Sequence, residues 1–555
     1  MWYSCPFGLR GLLGSSYSTA CHMLRRLQRR LESDADLARL YNDFLQEYEA
    51  LAHMTRVGTT VSDSESGYFI PHHGVLKEGS TTTKLRVVFN GSSRTNTGYS
   101  LNDCLHIGPK QQQELFDVLL RWRRHAYAFC ADEKMYRQIL VHQEDRRFQQ
   151  ILWSASGPSI IFQLNTVTYG LTFSAFAAIR FIKQLAYDEG DHYPDAVLIL
   201  LEEMYVDDAL SGADTLSHAR TKASQLDQLL KAGGFTLQKW ASNDQAVLAD
   251  IDSRRHAAPA PREFHDESFA RALGLSWDPS GWISPVTIVA KLFMQELWRI
   301  KVEWDEPLSD EFADRWREFE EELETMSITI PRWLGTSSTN LTVELHGFSD
   351  ASQQAMGAVI YLRVTTSAGV SIAIVAAKSR VAPIKKNTIP RLELSAAVLL
   401  ARLLVRVQMA LKLESASVNL WVDSSVVLAW VHGCPSRWKE FIANRVALIH
   451  ELAPAARWRH IAGRENPADC ASRGISPTQL LTHPLWFTGP PWLSQSHERW
   501  PIMSPPIPST HQLEERSVTA NATATQRAAA WDLIDRYSRL TRLLRITAWL
   551  KRSLI

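Results

Sequence analysis

The chain predicts an α/β and α+β multidomain fold, and three observations carry that expectation. Its 555 residues with 45% hydrophobic content allow several buried cores. Short apolar runs of strand character alternate with helical periodicity from Gly67 to Pro279 and again from Leu341 onward. A linker-like Ser337-Ser338-Thr339-Asn340 separates the two regions, and the texture turns rich in Pro, Ser and Trp beyond Gly474.

Residues 1–57 form a lead-in in which Ala20 to Ala52 is charged and helical in period. Leu24, Leu27, Leu31, Leu37, Leu40, Phe44 and Tyr48 make an apolar stripe that should dock on something larger. Residues 58–280 make the first α/β region. There Lys84 to Phe89 reads as a strand, Asn90 to Ser93 as a turn, and Ala126 to Ala131 as an apolar strand ending at Asp132. Ala196 to Leu201 reads as a buried strand entering a hairpin whose bend is Tyr205-Val206-Asp207-Asp208 and whose exit is Ala209 to Gly212. Residues 281–340 hold a turn and an amphipathic helix, Gly281 to Glu306, before the linker; 341–478 make the second α/β unit. Residues 479–555 are a tail unable to form a core alone, with a last helix from Gln526 to Leu550.

Lys plus Arg number 60 and Asp plus Glu 59, so any surface for a polyanion must be local. The six cysteines are scattered without a Cys-x-x-Cys pair, which suits a reducing compartment and argues against a zinc or dithiol site. Met1 to Leu13 lacks a signal pattern and the most apolar helix, Leu394 to Leu413, is interrupted by Arg402 and Arg406; neither secretion nor a membrane span is expected.

Neighbouring residues on a strand point to opposite faces, so Asp207 and Asp208 need a carboxylate from elsewhere to hold a metal. Asp132, delivered by its own strand, is the candidate, although an Asp at a strand end also serves as a helix N-cap. In the second unit Asp350 and Asp423 close strands, while Glu393 and Asp469 open helices after Pro390 and Pro467. Such ends bring acids together for two-metal hydrolysis, and taken singly Glu393 and Asp469 could merely favour a helix dipole. Arg121-Trp122-Arg123-Arg124-His125 and Arg437-Trp438-Lys439 could track a phosphate backbone or be solvated helix faces. His460 reads as a surface or groove residue, not a general base.

The segments Thr83 to Asn90, Asp132 to Ile139, Gln163 to Gly170, Tyr205 to Asp208 and Gly234 to Trp240 occur in an order that resembles the successive motifs of a Bel/Pao-type LTR retrotransposon reverse transcriptase. Phe348-Ser349-Asp350-Ala351-Ser352, Arg391 to Leu394, Trp421 to Ser424 and Glu465 to Asp469 resemble the ribonuclease H domain of the same Pol polyproteins. The resemblance implies fingers and palm followed by a truncated thumb or connection and a ribonuclease H-like α/β domain. It implies Asp132, Asp207 and Asp208 in one site and Asp350, Glu393, Asp423 and Asp469 in the other as catalytic ligands for two Mg²⁺ each, or Mn²⁺. It further implies Lys84 and Arg86 on the incoming triphosphate, Tyr136 beneath the sugar, Tyr169-Gly170 facing the template, and Lys239 as proton donor to pyrophosphate. RNA or DNA template-primer, RNA–DNA hybrid and deoxynucleoside triphosphates are the implied partners, without a membrane, in cytoplasmic element particles or the nucleus.

Departures from the family pattern accompany these matches. Asp132-Glu133-Lys134-Met135 is one residue short of the family's Asp-Ile-Glu-Lys-Met, several dozen residues are missing after Pro279, and Ala175 replaces a usual Pro. Neither a retropepsin-like dyad nor an integrase His/Cys cluster is expected in this chain. Two expectations follow: an active polymerase with ribonuclease H, or a decayed, polymerase-inactive product that keeps nucleic-acid binding, ribonuclease H being the activity expected to survive more readily.

Overall fold

The computed structural model describes residues 2–8, 10–59, 67–76, 85–132, 135–154, 157–257, 270–272, 275–277, 280–303, 305–336, 341–501, 514–516 and 540–553. The lead-in is two helices, α1 (Tyr17–Ser33) and α2 (Ala35–Ala50), since Asp34 ends the first and caps the second by accepting from the Leu37 amide at 2.9 Å. That break resets the apolar stripe. Leu24, Leu27 and Leu31 are buried as expected, but in α2 the buried face is Leu37, Tyr41, Leu45 and Tyr48, with Leu40 and Phe44 at its margin.

Three antiparallel sheets follow. β1 (Met54–Gly58) joins a three-stranded sheet, β2 (His72–Leu76) and β3 (Leu85–Phe89) make a hairpin, and α3 (Leu115–Trp122) leads into β4 (Tyr127–Asp132). β5 (Gln150–Trp153) and β6 (Ile160–Leu164) complete the sheet in the order β1-β6-β5. After α4 (Ser174–Glu189), the expected strand Ala196–Leu201 is instead the body of helix α5 (Pro194–Glu202). An apolar run of six does not distinguish the two states; Pro194 at the first helical position and burial of Ala196, Ile199 and Leu200 at helical spacing decide for helix. β7 (Met204–Tyr205), β8 (Asp208–Ala213), α6 (Leu216–Ala232) and β9 (Gln238–Ser242) then build the sheet β9-β4-β8-β7.

α7 (Ser284–Ile300) and α8 (Asp310–Thr325) precede the second unit. Its sheet runs β12-β11-β10-β13-β14, from β10 (Thr342–Ala351), β11 (Ala355–Thr366), β12 (Gly369–Val381), β13 (Ser417–Val422) and β14 (Arg457–His460). The first three strands are antiparallel, and β13 and β14 add in parallel. α9 (Ile389–Leu411), α10 (Ser425–His432) and α11 (Glu440–Leu452) cover one face, meeting Ala358, Ile360 and Leu362. The alternate residues Val359 and Tyr361 face a second core built with Trp282, Trp486, Trp492 and Trp500. The Trp-rich tail therefore completes this core, with the Tyr361 hydroxyl donating to the Trp486 carbonyl at 2.6 Å and the Trp486 indole to the Trp282 carbonyl at 2.6 Å. α9 is long and apolar enough to cross a membrane by length and composition, yet Leu394, Ala397, Leu400 and Ala401 are packed in the core.

The Arg121–His125 cluster is not a solvated face throughout, because Arg123 is turned inward. Arg123 is buried and donates to the carbonyls of Arg332 (3.0 Å), Ile374 (2.8 Å) and Pro331 (3.2 Å), its guanidinium 4.8 Å from the Trp282 ring centroid. Arg332 reciprocates, donating to the carbonyls of Trp122 (2.8 Å) and His125 (2.7 Å). The two guanidinium groups thus satisfy carbonyls at the chain bend after α3, in the segment Pro331–Arg332 and on β12. Arg123→Ala is expected to cost on the order of 3–5 kcal/mol by orphaning these carbonyls, read as lost amide exchange protection in both α3 and β12; unchanged protection in β12 would show that the two units hold together without it.

The Ser337–Asn340 linker, the Pro505–Pro508 run and residues 526–539 lie outside the described residues, while Leu540–Ser553 is helical.

Candidate active site

The first acid group forms where β4 and β8 end together. Their register sets Asp132 opposite Asp208, and the two-residue turn Val206-Asp207 closes onto β7. Val206 has φ +56°, a left-handed conformation costly for a β-branched residue by about 1–3 kcal/mol, so the bend is imposed by the strands around it. Asp207 is half-buried and Asp208 exposed. Burial and the charge of Asp132 push the Asp207 carboxyl up, against the pull of Lys239 and Arg86. Lys239 enters β9 at φ +52°, beside a register shift, and its amine pairs with the Asp132 carboxylate.

Tyr136 sits half-buried in a 3₁₀ turn, Met135–Gln138. Burial raises its hydroxyl's pKa, the charge of Asp207 adds to that, and Arg86 opposes it, so all three groups share one locality. Glu133 and Lys134 lie outside the described residues, but the short motif leaves Asp132 in register with Asp208 and Tyr136 beside Asp207. Tyr169 donates to the Val87 carbonyl at 2.7 Å, which anchors it behind the strand that bears Arg86. Gly170 is required there: its φ is +96°, and a Cβ would stand 2.3 Å from the Phe89 carbonyl oxygen. Lys84 lies outside the described residues, as do Leu273, Gly274, Asp278 and Pro279 around the expected gap.

The second acid group follows from strand register. β10 and β13 run parallel with Ser349 beside Val422, so the next residues, Asp350 and Asp423, emerge at the same edge. Glu393 comes from the first turns of α9 and Asp469 opens α12 (Asp469–Arg473). Gly357 lets α12 approach β11, since a Cβ there would stand 2.8 Å from the Ala468 carbonyl oxygen.

These acids raise one another. Burial, then Asp350 and Glu393, push Asp423 up to about 7. Burial and the charge of Asp350 raise Glu393, while burial and Asp469 raise Asp350. Ser472, whose hydroxyl donates to Asp350, and Ser424 and Asn466, beside Glu393 and Asp423, only partly offset this. Asn466 is itself held by donating to the Ser349 carbonyl at 3.1 Å. Asp469 is tied to Arg473 at 2.6 Å. His460 donates from Nε2 to the backbone carbonyl of Asp423 at 3.0 Å, which buttresses that strand end. Ser472 and Asn466 escaped sequence reasoning as supporting groups; their only signal was proximity in sequence to Asp469.

Among the described residues no three His, Cys, Asp or Glu side chains stand together as a finished metal site. The donor chemistry nonetheless fits: each group is all carboxylate oxygen, the preference of Mg²⁺ or Mn²⁺, and in the second an added cation would relieve the repulsion that raises Asp423.

A family model described as the Pao retrotransposon-like RNaseH-like domain matches residues 268–424, a span that includes Asp350, Glu393 and Asp423 and stops short of Asp469. No curated protein matches the chain by sequence. Among solved structures, the chain is similar to a foamy viral protease-reverse transcriptase in complex with double-stranded DNA, at 14% identity and TM-score 0.46, covering 75% of this chain and 68% of that one. It is also similar to a foamy viral protease-reverse transcriptase in complex with RNA/DNA hybrid, at 12% identity and TM-score 0.44, covering 76% of this chain and 52% of that one.

Proposed function

We propose that this chain, whose residues 268–424 match a Pao retrotransposon-like RNaseH-like domain, is an RNA-directed DNA polymerase joined to a ribonuclease H, as in a Bel/Pao-type retrotransposon Pol protein. The observation that carries the reading is the trio of buried Asp350 with half-buried Glu393 and Asp423, whose mutual repulsion within the matched segment invites a divalent cation. Asp350, Glu393, Asp423 and Asp469 would hold Mg²⁺ for hydrolysis of the RNA strand of a hybrid. Asp132, Asp207 and Asp208 would hold it for extension of a primer in a palm, with β2 and β3 as fingers. When bound, two such ions activate the attacking hydroxyl or water and neutralise the departing oxygen.

The protein's own groups do the positioning. Ser472 and Asn466 hold the Asp350 and Asp423 carboxylates in place before substrate arrives. Lys239 keeps Asp132 at the bend and stands ready to protonate leaving pyrophosphate. Arg86, with Lys84, would receive the triphosphate of a deoxynucleotide, and Tyr136 would close the space a 2′-hydroxyl needs. Template-primer and hybrid are the partners of this reading.

Primed extension on a homopolymer template, run beside cleavage of an RNA–DNA hybrid with Mg²⁺ or Mn²⁺, tests both halves. Asp207→Asn is expected to lower extension by at least about 10³-fold and leave cleavage intact. Wild-type protein that cleaves without extending would mean that the polymerase half has decayed. Protein that binds hybrid and does not cleave it would overturn the hydrolytic reading.

A further inference from the structure

Helix α1 carries a charged surface that neither acid group uses. Arg25, Arg26, Arg29 and Arg30 are all exposed on its outer side, whereas Ala20, Leu24, Leu27 and Leu31 face the core. From Tyr17 to Leu31 there is no Asp or Glu, in a chain whose formal net charge is only +1. Among the described residues no carboxylate pairs with any of the four; Arg30 reaches the Gly74 carbonyl at 3.4 Å. A local surplus of this kind is destabilising through self-repulsion unless something anionic covers it.

We propose that this face holds the sugar–phosphate backbone of a single-stranded nucleic acid, the unpaired template approaching the β2–β3 hairpin. The spacing suits that partner. Arg25 and Arg29, like Arg26 and Arg30, lie one helical turn apart, about 6 Å, and four cations fall within about 7.5 Å of helix axis. Phosphates of one strand lie about 3.4 Å apart along the axis of a stacked helix, so the cations are at least as dense as the phosphates they would face. An aromatic group stands at the start of the same helix: Tyr17 is 37% exposed, its ring meeting Phe69 edge-on at 5.1 Å between centroids, and the exposed part of the ring is open to a base. Position agrees as well, because Arg30 reaches the β2 strand of the hairpin whose other strand bears Arg86. An anionic membrane fits less well, since the apolar side of α1 is already buried and has nothing to insert.

The template identity rests on the polymerase reading, but binding can be measured without catalysis. Fluorescence anisotropy of labelled 30-nucleotide rU and dT strands with the full chain, in EDTA, would compare wild type with Arg25→Gln/Arg26→Gln/Arg29→Gln/Arg30→Gln and with the corresponding Lys variant. The Gln variant is expected to bind about 10–100-fold more weakly in low salt, and the slope of log K against log salt to fall by about 2–3, at about 0.7 for each lost phosphate contact. The Lys variant should stay within about threefold of wild type, because backbone contact needs charge more than shape. If the Gln variant melts early, single Arg26→Gln and Arg29→Gln variants should each remove about 0.7 of slope. Unchanged slopes would overturn the proposal, as would a Gln variant that loses phosphatidylserine vesicles or an acidic peptide while keeping the oligonucleotides.

Discussion

Asp423→Asn protein is expected to lose hybrid cleavage by at least about 10³-fold, the equivalent of about 4 kcal/mol of transition-state stabilisation, and yet to resist unfolding better than wild type in EDTA at pH 8. Both effects have one cause. The Asp423 carboxyl is pushed from its ordinary 3.8 up to about 7 by burial and by Asp350 and Glu393. A raised acid binds its proton more tightly folded than unfolded, so metal-free stability falls as pH climbs from 3.8 and the full penalty is present above about 7. Asn never carries that charge. Its advantage should therefore be small at pH 4, grow through the interval and level off, reaching on the order of 2–4 kcal/mol. Saturating Mg²⁺ should reverse the order by stabilising only the wild type. Urea midpoints at pH 4, 6 and 8, with and without Mg²⁺, would check this. A pH-independent difference would refute the repulsion account, and persisting cleavage would refute the assignment of Asp423 to the metal.

Arg363→Met is expected to destabilise the second unit by about 3–5 kcal/mol, whereas Glu344→Leu/Arg363→Met should recover much of the loss. Arg363 and Glu344 face each other on β11 and β10, both only 4% exposed, with Arg363 Nη1 donating to Glu344 Oε2 at 2.6 Å. The same guanidinium donates to the carbonyls of Leu493 and Gln495, each at 3.0 Å. Removing the cation strands a buried carboxylate beside His497, whose Nε2 lies 3.1 Å from Glu344 Oε1, and releases the tail that supplies Trp492 and Trp500 to the core. Tryptophan fluorescence during urea unfolding and protease nicking near residues 493–500 would report both consequences. A double variant as unstable as the single would show that lost packing, not the unpaired charge, was responsible.

Much of the acid geometry was legible because acids at element ends follow from local pattern. Asp132 closes its apolar strand and meets Asp208 across the ladder; Asp350 and Asp423 close strands whose register brings them to one edge. The helix at Ala196–Leu201 was misread because a six-residue apolar run satisfies either period, and Pro194 together with burial at helical spacing against α6 selected the helix. The face of α2 was misplaced because Asp34, a charged residue among many, restarts the helix. Arg123 was unreadable: nothing local distinguishes an arginine bound for solvent from one that will satisfy carbonyls more than 200 residues away.

Sequence by itself determined where the candidate acids fall, the two strand-and-helix regions that bear them, and their likeness to a Bel/Pao-type Pol protein, since periodicity, turn chemistry and ordered motifs are local properties. Tertiary structure decided what surrounds them: that Asp423 is crowded enough to rise to about 7, that Lys239 lies on Asp132, and that distant tryptophans complete a core. Burial and charge coupling depend on groups brought together across the chain, and a one-dimensional pattern contains no distances between them.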